Sequence, residues 1–415
     1  MLVKLEDQPP FLRNLARYGV PFVILIFYAT ASLYFDYSPD ELFKTVVSVR
    51  DSLPGSLWEV FLSLGRFLGL DLLLTAKIFS MLFSCFAILL AYLIAQEILH
   101  DYLLSFCVTL TLSMQPWLLQ LAPSGSGFGF GLFLMLGAIF FLLRNEYIIA
   151  AVFGSLAALV VWQAAGVVIF VMVDVYLNSV EKRRATKLMV SVGLIFFAIA
   201  LPWILLSTRT GNVLPRLYGM TEIVGQQGLL GIYILSGLAI AGFSYVVIRE
   251  REEVRIHAAG VLWIVSALML HVWLLAAPLI VVYGFFGLQK ISSNISDGVR
   301  RYVVALALTT ALLLHQQFLA FPEMRLALRE SAEETDELKS IAMWLRTNVK
   351  NDERIQTPDR HEGVLRYYSE RLSGNGNYVV AAAANISNAE LAFDPTKNYA
   401  GVRSASIRYS VWRKK

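Results

Sequence analysis

The sequence has 415 residues, of which 57% are hydrophobic and 16% charged, and its mean hydropathy is +0.61. Soluble globular chains are about one quarter charged, so the composition excludes a wholly soluble protein and indicates a surface that faces mostly lipid. The net charge of +4 does not require a nucleic-acid partner, and we expect none, because basic loops usually set the orientation of a membrane protein.

Long apolar runs follow one another along most of the chain. A helix needs about twenty apolar residues to cross the hydrocarbon core, and the runs predict about eleven such helices. The predicted spans are residues 16–35, 72–99, 102–122, 127–143, 147–161, 166–177, 188–207, 229–248, 257–270, 273–288 and 302–321. The sequence therefore predicts an all-α polytopic membrane domain over residues 1–321 and a small α/β domain over residues 322–415.

Two pairs of runs are short enough to be ambiguous. The fifth and sixth form either a hairpin that turns at residues 162–166 or one long tilted helix. The ninth and tenth pose the same choice around His271. Both pairs must have the same form for the orientation of the chain to be consistent.

Basic residues decide between these topologies, because cytoplasmic loops carry an excess of lysine and arginine. With the N-terminus inside and two hairpins, the inner loops receive Arg144, Lys182, Arg183, Arg184, Lys187, Arg249, Arg251, Arg255, Lys290, Arg300 and Arg301. The outer loops receive fewer, namely Lys44, Arg50, Arg66, Arg209 and Arg216. We therefore predict a multi-pass protein of the plasma membrane with a cytoplasmic N-terminus and an extracytoplasmic C-terminal domain.

The first outer loop, residues 36–71, predicts two amphipathic helices that lie on the outer leaflet. Ser38 and Glu41 have the spacing of a capping box with proline at the first helical position, and Ser56 and Glu59 repeat that spacing. An apolar face follows each cap, which is typical of helices at a membrane surface.

The C-terminal domain begins with a predicted helix. Ser331 and Glu334 form a further capping box, which predicts that the helix begins there. Strand-like runs follow at residues 378–382 and 404–412. One apolar stripe of the helix consists of Leu338, Ile341, Ala342, Leu345 and Val349.

Three carboxylates, Asp36, Asp40 and Glu41, come directly after the first span. Acids at a helix start are favourable for capping and for the helix dipole alone, which explains Glu41 best. A carboxylate at a membrane boundary beside apolar walls holds protons more tightly and can serve as a general base. Both interpretations stay open from the residues alone.

This acidic pair in the first outer loop resembles the GT-C superfamily of polyprenyl-phosphate-sugar-dependent glycosyltransferases. The likeness is greatest to the protein O-mannosyltransferase and aminoarabinose transferase branch. The similar segments are residues 39–43 (PDELF), 56–69, 76–80 (AKIFS, with Lys77 where the family has arginine) and 152–157 (VFGSLA). Residues 161–166 (VWQAAG) are also similar to a turn of oligosaccharyltransferase catalytic subunits.

The resemblance implies an inverting displacement in which an acceptor hydroxyl attacks the anomeric carbon and polyprenyl phosphate leaves. It implies Asp40 as the base, Glu41 or Asp36 in support, and Lys77 at the phosphate. Further candidates for substrate contacts are Trp162, Gln163, Arg209, Arg216 and His271. The implied partners are membrane lipid, a polyprenyl-phosphate sugar and a glycan, lipid or protein acceptor. The alternative for Lys77 is that it only snorkels to the interface, and for the arginines that they are solvated.

The sequence departs from the family after the third span, where residues 122–129 (APSGSGFG) contain no acid. This absence leaves open whether a second carboxylate exists and whether a divalent metal binds to it. The glycines look like a phosphate cradle, yet no strand precedes them and no P-loop lysine follows. We therefore predict that these glycines serve close packing of helices.

Two other classes of function also fit the sequence. One is a non-catalytic GT-C-like subunit or lipid-binding membrane protein, which the missing acid favours. The other is a secondary transporter, a class that usually has paired repeats and broken helices near the membrane midplane. The sequence shows neither of these transporter features, so the glycosyltransferase interpretation is preferred.

Overall fold

The chain consists of a helical membrane part and a small C-terminal α/β part. The computed structural model describes residues 19–33, 40–51, 56–178, 182–210, 225–249, 264, 273–293, 298–350, 353–357, 361–370, 378–381, 389–393 and 409–414. Apolar helices dominate the first three quarters of the chain, and a four-stranded sheet lies near the C-terminus. The predicted fold class is therefore confirmed.

The membrane part begins with a helix, a pair of short helices and then longer helices. These are α1 (Val20–Leu33), α2 (Asp40–Asp51), α3 (Leu57–Phe67), α4 (Leu72–Leu99), α5 (Tyr102–Ser113), α6 (Pro116–Leu121), α7 (Phe128–Leu143), α8 (Tyr147–Val160), α9 (Gly166–Asn178), α10 (Lys182–Thr210), α11 (Gly225–Arg249), α12 (Trp273–Ser293) and α13 (Gly298–His315). Helix α4 has the predicted bounds, because its apolar run is uninterrupted and Asp71 caps its first turn.

Among the described residues, three helical stretches are both long and apolar enough to cross a membrane. They are Leu72–Leu99, Leu275–Ser292 and Tyr302–Ala320. Other apolar helices, such as Phe128–Leu143, are shorter. These lengths fit a multi-pass protein, and the predicted number of crossings stays a prediction.

The third predicted span is not one continuous helix. Helix α5 ends at Ser113 and α6 begins at Pro116, with Gln115 in an extended conformation between them. Proline lacks the backbone N–H that a continuing helix needs, and it disfavours the helical conformation of the residue before it. The break therefore follows from Pro116.

The fifth and sixth predicted spans form a hairpin. Helices α8 and α9 are joined by a short 3₁₀ turn at Trp162–Ala165. A Cβ atom built on Gly154 of α8 would lie 3.2 Å from Cγ2 of Val168 in α9, so the two helices run back along each other. This observation rejects the alternative of one long tilted helix.

The last membrane helix continues directly into the C-terminal domain. A π-helical turn at Gln316–Ala320 connects α13 to α14 (Phe321–Asn348), with Pro322 in the first turn of α14. The predicted helix start at Ser331 is therefore wrong, since that residue lies inside α14. Strong helix formers precede Ser331, and nothing in this stretch interrupts the backbone hydrogen bonds.

The C-terminal domain packs a mixed sheet and a short helix against α14. Its elements are β1 (Ile355–Gln356), α15 (Glu362–Ser369), β2 (Tyr378–Ala381), β3 (Ala389–Phe393) and β4 (Ser410–Lys414). The strand order is β1-β2-β4-β3, with β1 and β2 parallel and the other pairs antiparallel. The predicted stripe of α14 is confirmed, because all five of its residues are at most 4% exposed.

Candidate active site

Helix α2 begins at Asp40 and lies between the membrane core and the C-terminal domain. Leu42, Val46 and Val49 are buried in the membrane core. Phe43, only 2% exposed, belongs instead to the core of the C-terminal domain. Protein therefore covers the apolar side chains of this helix, while its predicted place on the outer leaflet stays a prediction.

Helix α3 differs from α2 in having an exposed apolar side. Ser56 caps it, since its Oγ accepts the backbone N–H of Glu59 at 3.2 Å, which confirms the predicted cap. Trp58 is buried, whereas Leu64 and Phe67 are 58% and 89% exposed. Exposed apolar side chains of this kind suit a helix at the membrane surface.

The acid-free loop after the third predicted span packs against both α2 and α3. The indole Nε1 of Trp58 donates a hydrogen bond to the backbone oxygen of Gly125 at 3.2 Å. A Cβ atom on Gly125 would lie 2.7 Å from Leu42 and 3.3 Å from Ala76. The loop at residues 122–127 therefore meets α2 two residues after Asp40, and α4 one residue before Lys77.

The glycines of this region serve close packing, as predicted. Gly125 and Gly127 have φ angles of +69° and +72°, and a Cβ atom on Gly127 would lie 2.5 Å from Trp58. Along α7, a Cβ atom on Gly131 would lie 3.1 Å from Val161, and Gly129 lies against Ser84 of α4. Each glycine thus allows a close approach by a neighbouring side chain.

Hydrogen bonds between helices fix the base of this loop. The Tyr28 hydroxyl in α1 donates to the backbone oxygen of Leu118 in α6 at 2.9 Å. Ser80 in α4 donates to the backbone oxygen of Leu121 at 3.3 Å. Because all of α6 is buried, these contacts hold the start of the loop in the protein interior.

Lys77 lies on an exposed apolar stripe of α4. Leu74 and Ile78 are 59% and 49% exposed, and Lys77 between them is half-buried. Positions three and four residues apart share one helix face. The lysine is therefore on the exposed apolar face of α4 and also next to Ala76, which contacts the loop. This geometry suits both a ligand of a lipid phosphate and a snorkelling side chain.

The turn that contains Trp162 and Gln163 lies at the same end of the bundle. Its preceding residue, Val161, approaches Gly131 in the first turn of α7, directly after the loop. The backbone of the turn is thus brought near the loop, while the side chains of Trp162 and Gln163 lie outside the described part of the chain.

Several predicted site residues have no described side chain. Arg209 lies in the last turn of α10, with its side chain outside the described set. The side chains of Asp40 and Glu41 are also outside it, as are all of Asp36, Arg216 and His271. Within the described side chains, no group of three His, Cys, Asp or Glu residues is arranged to hold a metal ion.

Sequence reasoning missed a contact between α2 and the C-terminal domain. The Phe43 ring centroid lies 5.4 Å from that of Tyr367 and 5.6 Å from that of Tyr368. Burial raises the pKa of both tyrosines, and the carboxylates of Asp336 and Asp71 raise that of Tyr368 further. The adjacent tyrosines on the short helix α15 were the only sequence signal of this contact.

These raised pKa values predict a loss of stability at alkaline pH. The folded protein keeps the tyrosine protons to a higher pH than the unfolded chain does. The stabilisation is therefore present below about pH 10 and is lost as the pH rises through the folded-state pKa. The Tyr367→Phe/Tyr368→Phe variant has no hydroxyl to ionise at either position. We expect its melting temperature to fall less between pH 9 and pH 11 than that of the wild type.

Equal decreases in melting temperature for the two proteins would contradict this expectation. The measurement uses purified protein in a detergent whose own properties do not change over the same pH range. A Tyr233→Phe variant is a suitable control, since Tyr233 is 65% exposed on α11 and has no part in these ring contacts.

Comparisons with solved structures find the same fold. The oligosaccharyltransferase AglB from Archaeoglobus fulgidus, in complex with an inhibitory peptide and a dolichol-phosphate, has a TM-score of 0.60 and 11% identity, covering 89% of this chain and 70% of that chain. ArnT from Cupriavidus metallidurans, bound to undecaprenyl phosphate, has a TM-score of 0.56 and 13% identity. The match covers 96% of this chain and 98% of that chain. The arabinofuranosyltransferase AftD from Mycobacteria has a TM-score of 0.51 and 16% identity. The match covers 80% of this chain and 29% of that chain.

These three proteins are GT-C enzymes, so the chain has the GT-C fold and the resemblance seen in the sequence is confirmed at the level of the fold. No protein-family model and no curated protein matches the sequence.

Proposed function

We propose that this chain, which has the GT-C fold, is a membrane glycosyltransferase. In this proposal it moves a sugar from a polyprenyl-phosphate donor to an acceptor hydroxyl on the outer face of the membrane. The observation that carries the proposal is the meeting of three segments at residues 122–127. They are the start of α2, the outer end of α4 and the loop itself, held together by Leu42, Ala76 and Trp58.

The proposed reaction is a single inverting displacement at the anomeric carbon. The acceptor oxygen forms a bond to that carbon, and the bond between the carbon and the phosphate oxygen breaks. Polyprenyl phosphate leaves with the bonding electrons, and a base takes the proton of the hydroxyl. Phosphate leaves readily as an anion, so the site needs positive charge at the phosphate and no general acid.

The proposed roles follow the resemblance and the placement of the backbone. Asp40 is the base, and Glu41 or Asp36 supports it. Lys77 binds the donor phosphate, with Arg209 or Arg216 as further phosphate ligands. Contacts to the substrates are assigned to Trp162, Gln163 and His271. A divalent metal is a further possible component, and its ligands would come from these carboxylates.

A donor that is linked to a lipid fits the position of Lys77. Its neighbours Leu74 and Ile78 are exposed on the apolar surface of α4, so a phosphate on a membrane lipid can reach the ammonium group from within the leaflet. Undecaprenyl phosphate is bound to ArnT and dolichol-phosphate to AglB, and we propose the same class of lipid for this chain.

Replacement of Lys77 by methionine is expected to weaken donor binding. A hydrogen bond to a charged group contributes about 1.5–3 kcal/mol, so we expect the KM for the donor to rise about 10- to 100-fold. Lys77→Arg keeps the charge and is expected to stay close to wild type. The measurement is initial transfer rate against donor concentration in detergent or liposomes.

The matched control for this prediction is Lys187→Met, which removes an exposed lysine from α10. An unchanged donor KM in Lys77→Met would show that this lysine only snorkels to the interface. The same result would leave the proposed reaction itself untouched, because another basic residue would then bind the phosphate.

Mass analysis of envelope glycans and lipids tests the function directly. A strain of the source organism that lacks the gene is expected to lose one sugar from one glycan or lipid class, and re-expression of the chain restores it. Unchanged glycans and lipids would reject the proposal.

A second candidate function is a non-catalytic, lipid-binding relative with the same fold. The loop at residues 122–127 favours it, since that loop has no acid and is filled by packing contacts of its glycines. Such a protein would bind polyprenyl phosphate but transfer no sugar. Binding and transfer assays on one preparation separate the two functions.

A further inference from the structure

Three aromatic side chains join the C-terminal domain to the helix that begins at Asp40. Phe43 of α2 contacts Tyr367 and Tyr368 of α15, and the two tyrosine rings contact each other edge to face at 4.9 Å. We call Phe43, Tyr367 and Tyr368 the aromatic clamp. Phe43 is buried in the core of the C-terminal domain, although it belongs to the first outer loop.

The neighbouring side of α2 is fixed by the membrane part. Leu42 and Val46 are at most 2% exposed and belong to the membrane core. A side chain added at Gly125 would collide with Leu42, so the loop at residues 122–127 touches α2 at the turn that contains Asp40. Helix α2 is therefore held from two sides.

Hydrogen bonds inside the C-terminal domain hold the start of α15, the helix that carries the two clamp tyrosines. His361, directly before α15, has its Nε2 atom 2.8 Å from the Tyr409 hydroxyl and 3.3 Å from Glu334 of α14. Glu337 of α14 accepts the backbone N–H of Tyr409 at 2.6 Å. These groups are mostly buried, and buried hydrogen-bonded networks make a structure rigid.

We infer that the C-terminal domain sets the position of the candidate base through the aromatic clamp. Phe43 lies about one helical turn after Asp40, the residue at which α2 begins. A movement of the clamp therefore moves the start of the helix. Phe43, Tyr367 and Tyr368 are positioning residues in this inference, which rests on the proposed function.

The expected size of the effect follows from the geometry that catalysis requires. A displacement of about 1 Å in a catalytic group can lower turnover about 100-fold. We expect Phe43→Ala to lower kcat by about 10- to 100-fold. The KM for the donor is expected to stay near that of the wild type, because Lys77 lies on α4 and not on α2.

Companion variants separate positioning from loss of folded protein. Tyr368→Ala removes a half-buried ring and is expected to lower kcat in the same way, without the cavity that Phe43→Ala leaves. Tyr368→Phe keeps the ring, and its kcat is expected to stay close to that of the wild type. Phe67→Ala is the matched control, because Phe67 is 89% exposed at the end of α3. Rates are divided by the amount of folded protein, measured by size-exclusion chromatography.

The decisive measurement combines Phe43→Ala with Asp40→Asn. If the clamp acts through Asp40, Phe43→Ala lowers the residual rate of Asp40→Asn by no more than about twofold, so the two losses do not add. Fully additive losses would overturn the inference, and so would a wild-type kcat in Phe43→Ala. In either case an inactive Asp40→Asn would leave the proposed function in place. Full transfer by Asp40→Asn would instead overturn the assignment of Asp40 as the base. It would also overturn the inference that the clamp positions the base.

Discussion

Replacement of Asp40 by asparagine is expected to lower the turnover of sugar transfer by about 10²- to 10⁴-fold, the usual contribution of a general base. The acceptor hydroxyl is a poor nucleophile until its proton is removed, and an amide cannot accept that proton. The fold is expected to survive, because asparagine has the shape of aspartate and loses only the interaction of the charge with the helix dipole, about 0.3–1 kcal/mol. The measurement is the initial rate of transfer from a polyprenyl-phosphate sugar at saturating donor.

The same exchange at Asp71 is the matched control for this prediction. Asp71 is in the same outer loop and caps α4, where its Oδ1 accepts the backbone N–H of Leu74 at 2.8 Å. Asparagine keeps that cap, so Asp71→Asn is expected to transfer sugar at close to the wild-type rate. Wild-type turnover in Asp40→Asn would show that the carboxylate serves only the helix start. Sugar transfer would then need a different base, with Glu41 and Asp36 as the next candidates.

The elements that the sequence predicted well are those that local chemistry decides. Helix α4 has its predicted bounds because its apolar run is continuous and an aspartate precedes it. Ser56 caps α3, and the apolar stripe of α14 is buried, as their spacing indicated. In each case, neighbours within a few residues along the chain determine the outcome.

The wrong prediction at Ser331 shows where local chemistry is not enough. Its capping box is a real sequence pattern, yet α14 passes through it without a break. The acids around it instead take part in contacts with distant residues. Glu337 accepts the backbone N–H of Tyr409, and Glu334 lies beside His361. A contact between residues so far apart in the chain leaves no trace in a local pattern.

The candidate site was predicted in part. The sequence indicated the acidic helix start, the outer end of α4 and the turn at Trp162, and the fold brings their backbones to one end of the bundle. It did not indicate that α2 is covered by protein on both sides. An apolar face looks the same in a sequence whether lipid or another domain covers it. Only the contacts of Phe43 and Leu42 distinguish the two.

A methyl group on Gly127 is expected to damage both the fold and the site. The φ angle of +72° is in the left-handed region, and a Cβ atom there would lie 2.5 Å from the Trp58 ring. The backbone strain costs about 1–2 kcal/mol, and overpacking typically adds about 1–3 kcal/mol. Trp58 must move, which breaks its hydrogen bond to Gly125 and releases the loop from α3. We expect Gly127→Ala to unfold at lower temperature and to lose most of its transfer activity.

Gly69 offers a control that isolates the backbone part of this loss. Its φ angle is also +72°, but nothing lies within 4 Å of the position of its Cβ atom. Gly69→Ala therefore carries the cost of strain alone, about 1–2 kcal/mol, and leaves Trp58 in place. The difference between the two variants, measured as melting temperature and as transfer rate in one detergent, reports the contact between Trp58 and the loop. Equal losses of melting temperature and transfer rate in both variants would mean that Trp58 moves aside without a cost in free energy. The loop would then not depend on Trp58. A larger loss in Gly127→Ala would show that close packing against Trp58 holds the loop beside the start of α2.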